Sequence, residues 1–205
     1  MQIRIYLLQG GKVLPVLREI EATKAVAAAA LQSLSEGPAP GGGLETAVPV
    51  DFHPPVALAN GVALLNAGAG LSVEGKAQVV FTLTQFASIR KVELAGKTYE
   101  RSDFEAQTPL ILVDSPVEGT GVSSPIQVSG TANTFEANVQ WELEVDGKVV
   151  RKGFTTATSG NGTRGTFEFS VPYTKRGVTG SLILFQTDEA NGGRRDVVYI
   201  PLYLT

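Results

Sequence analysis

The stretch Glu105–Gly119, E-A-Q-T-P-L-I-L-V-D-S-P-V-E-G, divides the chain in two. Pro109 and Pro116 bracket the short apolar run Leu110–Val113. Proline cannot donate to a sheet ladder, so a strand fits between the two and ends at each. We read this segment as the hinge and first strand of a second domain. Upstream, alanine-rich runs at helical spacing alternate with short extended segments. Downstream, strand-length runs are separated by Gly, Asn, Asp and Pro, and none has helical spacing. The expected class is α+β in two domains, residues 1–105 and 109–205.

Length and composition agree. The 205 residues suit two domains of about 100 each. An apolar fraction of 43% supplies material for a sizeable core. The net charge is −3 and no Lys/Arg run stands out, so no nucleic-acid partner is expected. With no cysteine and the single histidine His53 in a Pro-rich loop, no metal or cofactor is expected either. No run approaches the roughly 20 apolar residues of a membrane-spanning helix. The opening Met1–Gln9 reads as a strand, too short for a signal peptide, so composition leaves cytoplasm and export equally open.

In the first half, Ile3–Leu8 and Lys12–Ile20 form a hairpin turning at Gly10-Gly11. Thr23 is the expected N-cap of a helix over Lys24–Glu36, with Val26, Ala27, Ala30, Leu31 and Leu34 on its apolar face. Gly37-Pro38 stops it. A flexible loop, P-A-P-G-G-G, then leads to Leu44–Pro49. A second hairpin over Val56–Leu65 turns at Asn60-Gly61, and a second helix over Val73–Ala87 is capped by Ser72. A third hairpin turns at Gly96. The result is a small α/β sandwich with helices covering one sheet. Asn66–Val73 has part of a dinucleotide fingerprint, but Val73 stands where the third glycine belongs.

In the second half, strand-like runs fall at 110–113, 126–129, 139–145, 149–153, 165–171, 181–186 and 197–204. That spacing is the pattern of an immunoglobulin-like sandwich. Val139, Trp141, Leu143 and Val145 alternate with Gln140, Glu142 and Glu144, which places the only tryptophan in the core. The final run, V-V-Y-I-P-L-Y-L, is apolar on both faces and Pro201 favours an edge. Tyr199, Pro201 and Tyr203 are therefore candidates for contact with the first domain. Asp188, Glu189, Asn191 and Gly192 share a turn whose spacing matches no calcium loop, and Asn161-Gly-Thr163 reads as a turn.

Several stretches in order carry a family resemblance: I-Y-L-L, L-P-V-L-R-E-I, A-A-L-Q-S-L-S-E-G-P, G-L-E-T-A-V-P and A-Q-V-V-F-T-L-T-Q-F-A-S-I-R-K-V. Over Gln2–Glu100 the chain resembles a GerMN domain of sporulation and germination proteins. V-D-S-P, S-S-P-I-Q-V-S-G-T-A-N-T-F-E-A-N-V and G-T-F-E-F-S-V-P-Y make the second half similar to the immunoglobulin-like domain that follows GerMN in such proteins. The resemblance implies an exported, often lipid-anchored protein of the cell envelope without catalysis. The chain has no lipobox cysteine, so export would rest on a leader removed from it.

Three functions are compatible with these residues. The first is a non-enzymatic envelope module that binds cell-wall glycan or an envelope protein. Its site is expected beside the Pro38–Pro49 loop, where Arg18, Glu45 and Thr46 are the polar candidates. The second is a scaffold whose α/β domain self-associates into a homo-oligomer. The third, a wall-glycan hydrolase, would need a carboxylate pair such as Glu142 or Glu144 with Glu168, about 5–10 Å apart. Those acids occupy outward strand positions, so no catalytic set is expected.

Overall fold

The computed structural model describes residues 1–188 and 190–205. The chain divides into two compact units, Met1–Pro109 and Leu110–Thr205.

The first unit begins with the hairpin of β1 (Gln2–Gln9) and β2 (Lys12–Glu19). Gly10 and Gly11 turn it with φ of +55° and +74°, a left-handed pair that suits glycine. The first helix, α1 (Val26–Ser35), starts later than its periodicity suggests. Thr23 is not its cap. Ala25 occupies that position, and the Thr23 hydroxyl instead accepts from the Ala25 N–H at 3.1 Å in the preceding turn. Next come β3 (Ala57–Ala59), β4 (Val62–Leu65), α2 (Val73–Leu83), β5 (Lys91–Leu94) and β6 (Lys97–Tyr99). They form one sheet in the order β3-β4-β5-β6, with α2 as the crossover between the parallel pair β4 and β5. Ser72 caps α2 as expected, accepting from the Gly75 N–H at 3.1 Å. The helix ends at Leu83 rather than Ala87, because Thr84 turns its hydroxyl back to the Val80 carbonyl and Gln85 is drawn toward β1.

The strand pairs do not share a single sheet, contrary to the pattern reading. The β1–β2 hairpin stands alone as a two-stranded sheet. Its free edge is closed by side chains of α2 and of Gln85 just beyond it. Gln85 accepts from the Arg4 N–H at 3.0 Å and donates to the Arg4 carbonyl. Thr82 Oγ1 accepts from the Tyr6 N–H at 3.0 Å, and Gln78 Nε2 donates to the Tyr6 carbonyl at 3.0 Å. Leu8 exchanges both of its bonds with the main chain of Glu45. The outward groups of Arg4, Tyr6 and Leu8 are thus all satisfied without a third strand. Gln78 and Thr82 are fully buried, and Gln78 Oε1 also takes the Ala47 N–H at 2.7 Å. Around this polar seam lie Ile5, Leu7, Leu31, Leu34, Val79, Val80, Leu83 and Val92, all fully buried. Each such side chain contributes about 1.5–3 kcal/mol of apolar burial.

A short 3₁₀ segment, Arg101–Gln107, closes the unit. Arg101 donates to Thr84 Oγ1 at 2.8 Å and lies 4.7 Å from the Phe81 ring and 5.2 Å from the Tyr6 ring. It pins the segment to the C-terminal end of α2, where a cation is favoured.

The second unit is a β-sandwich. Its strands are β7 (Ile111–Ser115), β8 (Gly121–Val122), β9 (Ile126–Ala132), β10 (Asn138–Val145), β11 (Lys148–Thr156), β12 (Gly165–Val171), β13 (Val178–Thr187) and β14 (Arg194–Leu204). One sheet has the order β11-β10-β13-β14-β8 and the other β12-β9-β7. Asp146-Gly147 makes the β10–β11 turn as its sequence suggests, with φ of +52° and +69°. Val128, Val139, Leu143, Val171, Leu182, Leu184 and Leu204 fill the space between the sheets. Trp141 packs against that core and stacks on Phe169 with ring centroids 5.4 Å apart. Across the ladder, Gly153 leaves room for the indole: a Cβ there would stand 2.6 Å from Trp141 Cζ2. The last strand is an edge only in part, because Tyr203 and Leu204 pair with β8.

Strand β11 is the outer edge of the larger sheet and is blunted. Lys148, Arg151 and Lys152 sit on it, and the register slips at Leu143/Glu144 so that Val150 bulges out.

Two substitutions test this account. Gln78→Leu strands the Ala47 N–H and the Tyr6 carbonyl, at roughly 1–3 kcal/mol per group. Denaturant unfolding should show a lower midpoint with the slope unchanged. Gly153→Ala should cost about 1–3 kcal/mol through overpacking. It should also perturb the fluorescence of Trp141, the single tryptophan.

Candidate functional site

The structure brings Arg18, Glu45 and Thr46 together at the C-terminal end of α1, where the last carbonyls of a helix lack partners. Gly37 turns the chain there with φ of +76°. Arg18, from β2, donates to the Gly37 carbonyl at 3.2 Å. Thr46 donates to the Leu34 carbonyl at 3.4 Å and accepts from the Val48 N–H at 3.2 Å. Its methyl group leaves only 3.1 Å to where a Cβ on residue 37 would stand. Glu45 holds Leu8 through its main chain, and its side chain is exposed. Arg18 and Thr46 therefore fasten the root of the glycine loop, and Glu45 presents its charge to solvent beside them.

The paired carboxylates are placed apart. Glu142 and Glu144 project from the outer face of the five-stranded sheet, where Arg194 bonds Glu142 and lies 3.5 Å from Glu144. Glu168 is exposed on β12, in the other sheet, on the far side of the sandwich core. No cleft-spanning acid pair arises from this arrangement. At the β13–β14 turn, Asp188 spends its oxygens on the Ala190 N–H at 2.9 Å and the Asn191 amide at 3.0 Å, which is turn chemistry. Glu189 of that turn lies outside the described residues.

The feature that sequence reasoning passed over is the outer face of the five-stranded sheet. Pairing register assembles it in rows, since directly opposed residues share a face. One row is Lys152, Glu142, Ile183 and Tyr199; its neighbours are Phe154, Gln140 and Phe185 on one side and Val149, Glu144, Ser181 and Pro201 on the other. Tyr203 follows, opposite Thr179. Ile183 and Phe185 are buried on this face, while Phe154 is 66% exposed, Tyr199 58% and Tyr203 49%. Arg194 lies over the Phe185 ring at 5.1 Å. Tyr199, Pro201 and Tyr203, singled out from the sequence as contact residues, belong to this patch. A signal for the rest was available: Phe154 is in step with Lys152, which opposes the outward Glu142, and an aromatic ring on an outward position of an edge strand has no core to fill.

Comparisons with known proteins agree in order with these two units. Residues 4–97 match the family model described as sporulation and spore germination. Residues 110–193 match the model described as an immunoglobulin-like domain of bacterial spore germination. No curated protein and no solved structure matches the chain significantly. Among the described residues no helix is long and apolar enough to cross a membrane.

If Arg18 and Thr46 serve the end of α1, their loss is a loss of stability. Thr46→Val takes the acceptor from the Val48 N–H and one of two donors from the Leu34 carbonyl, which keeps the Gly37 N–H at 3.1 Å, and should cost about 1 kcal/mol in thermal or denaturant unfolding. Wild-type stability in Thr46→Val would remove the capping role.

Proposed function

We propose, for a chain whose first unit belongs to the sporulation and spore germination family and whose second is an immunoglobulin-like domain of bacterial spore germination, that it is a non-catalytic binding module of the cell envelope. Its ligand is cell-wall material. The observation that carries this reading is the outer sheet face of the second unit, where Phe154, Tyr199 and Tyr203 are about half exposed or more. Burying such rings on a partner recovers apolar area that folding left in water. They stand on rigid strands, so little ordering entropy opposes contact. The carboxylates of the same face are bound to Arg194, a state suited to recognition rather than to proton transfer. An extracytoplasmic location follows from the ligand.

The test is co-sedimentation of the full chain with purified peptidoglycan sacculi. Saturable pelleting is expected, at least tenfold weaker for a variant carrying Phe154→Ser, Tyr199→Ser and Tyr203→Ser. Because these side chains are exposed, the variant should unfold within a few degrees of wild type. Absence of pelleting by the wild-type chain would refute the reading.

A further inference from the structure

On the premise that the outer sheet face is the binding surface, we infer that Tyr199 and the Glu142–Arg194–Glu144 group form a subsite for the pyranose rings of an uncharged glycan. Tyr199 is held in place as well as exposed. Its hydroxyl accepts a hydrogen bond from Ser181 Oγ at 2.6 Å. Ser181 is not its cross-strand partner; Tyr199 opposes Ile183, while Ser181 opposes Pro201. The hydroxyl therefore reaches diagonally across to the neighbouring strand, which lays the side chain along the sheet rather than upright from it. With 58% of the residue still exposed, a face of the ring is open to solvent. An aromatic face fixed in this way is a stacking platform for the C–H face of a sugar, and its orientation is set before the ligand arrives.

The polar half of the subsite lies in the same row. Tyr199, Ile183 and Glu142 follow one another across β14, β13 and β10. Two strand spacings place Glu142 about 10 Å from Tyr199. That is the scale of two linked sugar residues, so one ring can stack while the next meets hydrogen-bonding groups. Arg194 is anchored by Glu142, by Glu144 and by the Phe185 ring, which fixes donors beside acceptors. Sugar hydroxyls and acetamido groups both donate and accept, and such a mixed set suits them.

Charge decides between polymers. Glu142 and Glu144 are offset on this face by Arg194 and Lys152, so it offers no net field to a polyanion or an anionic lipid surface. An uncharged, extended polysaccharide fits a flat face whose rings alternate with polar groups. The glycan strand of the wall is thus the part of the sacculus that this surface reads.

The experiment is calorimetric titration of the full chain with a soluble oligomer of five or six β-1,4-linked N-acetylglucosamine units. Weak, saturable binding is expected. Tyr199→Ala should weaken it at least tenfold, Glu142→Gln several-fold, and Tyr199→Phe, which keeps the ring, by no more than about threefold. Unfolding midpoints, measured on the same samples, should stay near wild type, since Tyr199 is mostly exposed and Glu142→Gln keeps the shape of a half-buried side chain. Wild-type affinity in Tyr199→Ala would overturn the subsite. So would Tyr199-dependent dimerisation in sedimentation velocity, which would give the face to a second copy. If sacculi pellet the chain through the aromatic face while the oligomer produces no saturable heat, the glycan assignment falls and wall binding stands. If neither binds, both fall.

Discussion

The free edge of β1 is the constraint on which the first unit depends. A two-stranded hairpin exposes unpaired N–H and C=O groups along each outer edge, and burying them unpaired costs a few kcal/mol apiece. Here the strand runs through the core with Ile3, Ile5, Tyr6, Leu7 and Leu8 all buried, so water cannot serve that edge. Polar side chains take its place, Gln78 and Thr82 at i and i+4 on one face of α2 and Gln85 just past the helix end. From Gln78 to Thr82 the helix rises about 6 Å. Arg4 to Tyr6 spans about 7 Å, and the long side chain of Gln85, beyond the helix end, reaches Arg4. The helix docks in one register, and Gln78 ties the returning segment to it through Ala47.

The second unit meets its constraints differently. Its β11 edge is blunted by cations and a bulge, its tryptophan is accommodated by a glycine across the ladder, and the outer side of its larger sheet keeps Phe154, Tyr199 and Tyr203 about half exposed or more. The inner face follows the simple alternation that fills a sandwich. The outer face departs from polar-out patterning at Phe154, Ile183, Phe185, Tyr199 and Tyr203. Departures of that kind tend to gather where a protein does something besides fold.

Much of this was legible in advance. Period-two alternation placed Val139, Leu143 and Val145 inside, and Asp-Gly and Asn-Gly pairs located hairpins, because both signals are local. The polar stripe on α2 was not legible. Gln78 and Thr82 look like solvated interruptions of an apolar helix until a strand edge is known to lie against them, and that edge is over seventy residues away in sequence. Thr23 misled for a related reason, since its hydroxyl had a nearer N–H to bond than those of the helix. Arg18 and Thr46 lie at the root of the loop. The sequence could not say that their polar atoms are taken up by the end of α1, because that depends on how a helix end meets a strand from another part of the chain.

The blunted edge of β11 has a consequence for how recognition can change over time. A protein that binds by lending a strand edge is read mainly through its backbone, which every sequence possesses, so its preferences are hard to rewrite. With the β11 edge blunted, the larger sheet can be approached on its broad side, where contact is made by side chains alone. Substitutions on that side leave the inner core and the ladder untouched. One scaffold could therefore exchange ligands by small steps, each nearly neutral for folding, in the way a printed surface is re-inked without recasting the plate.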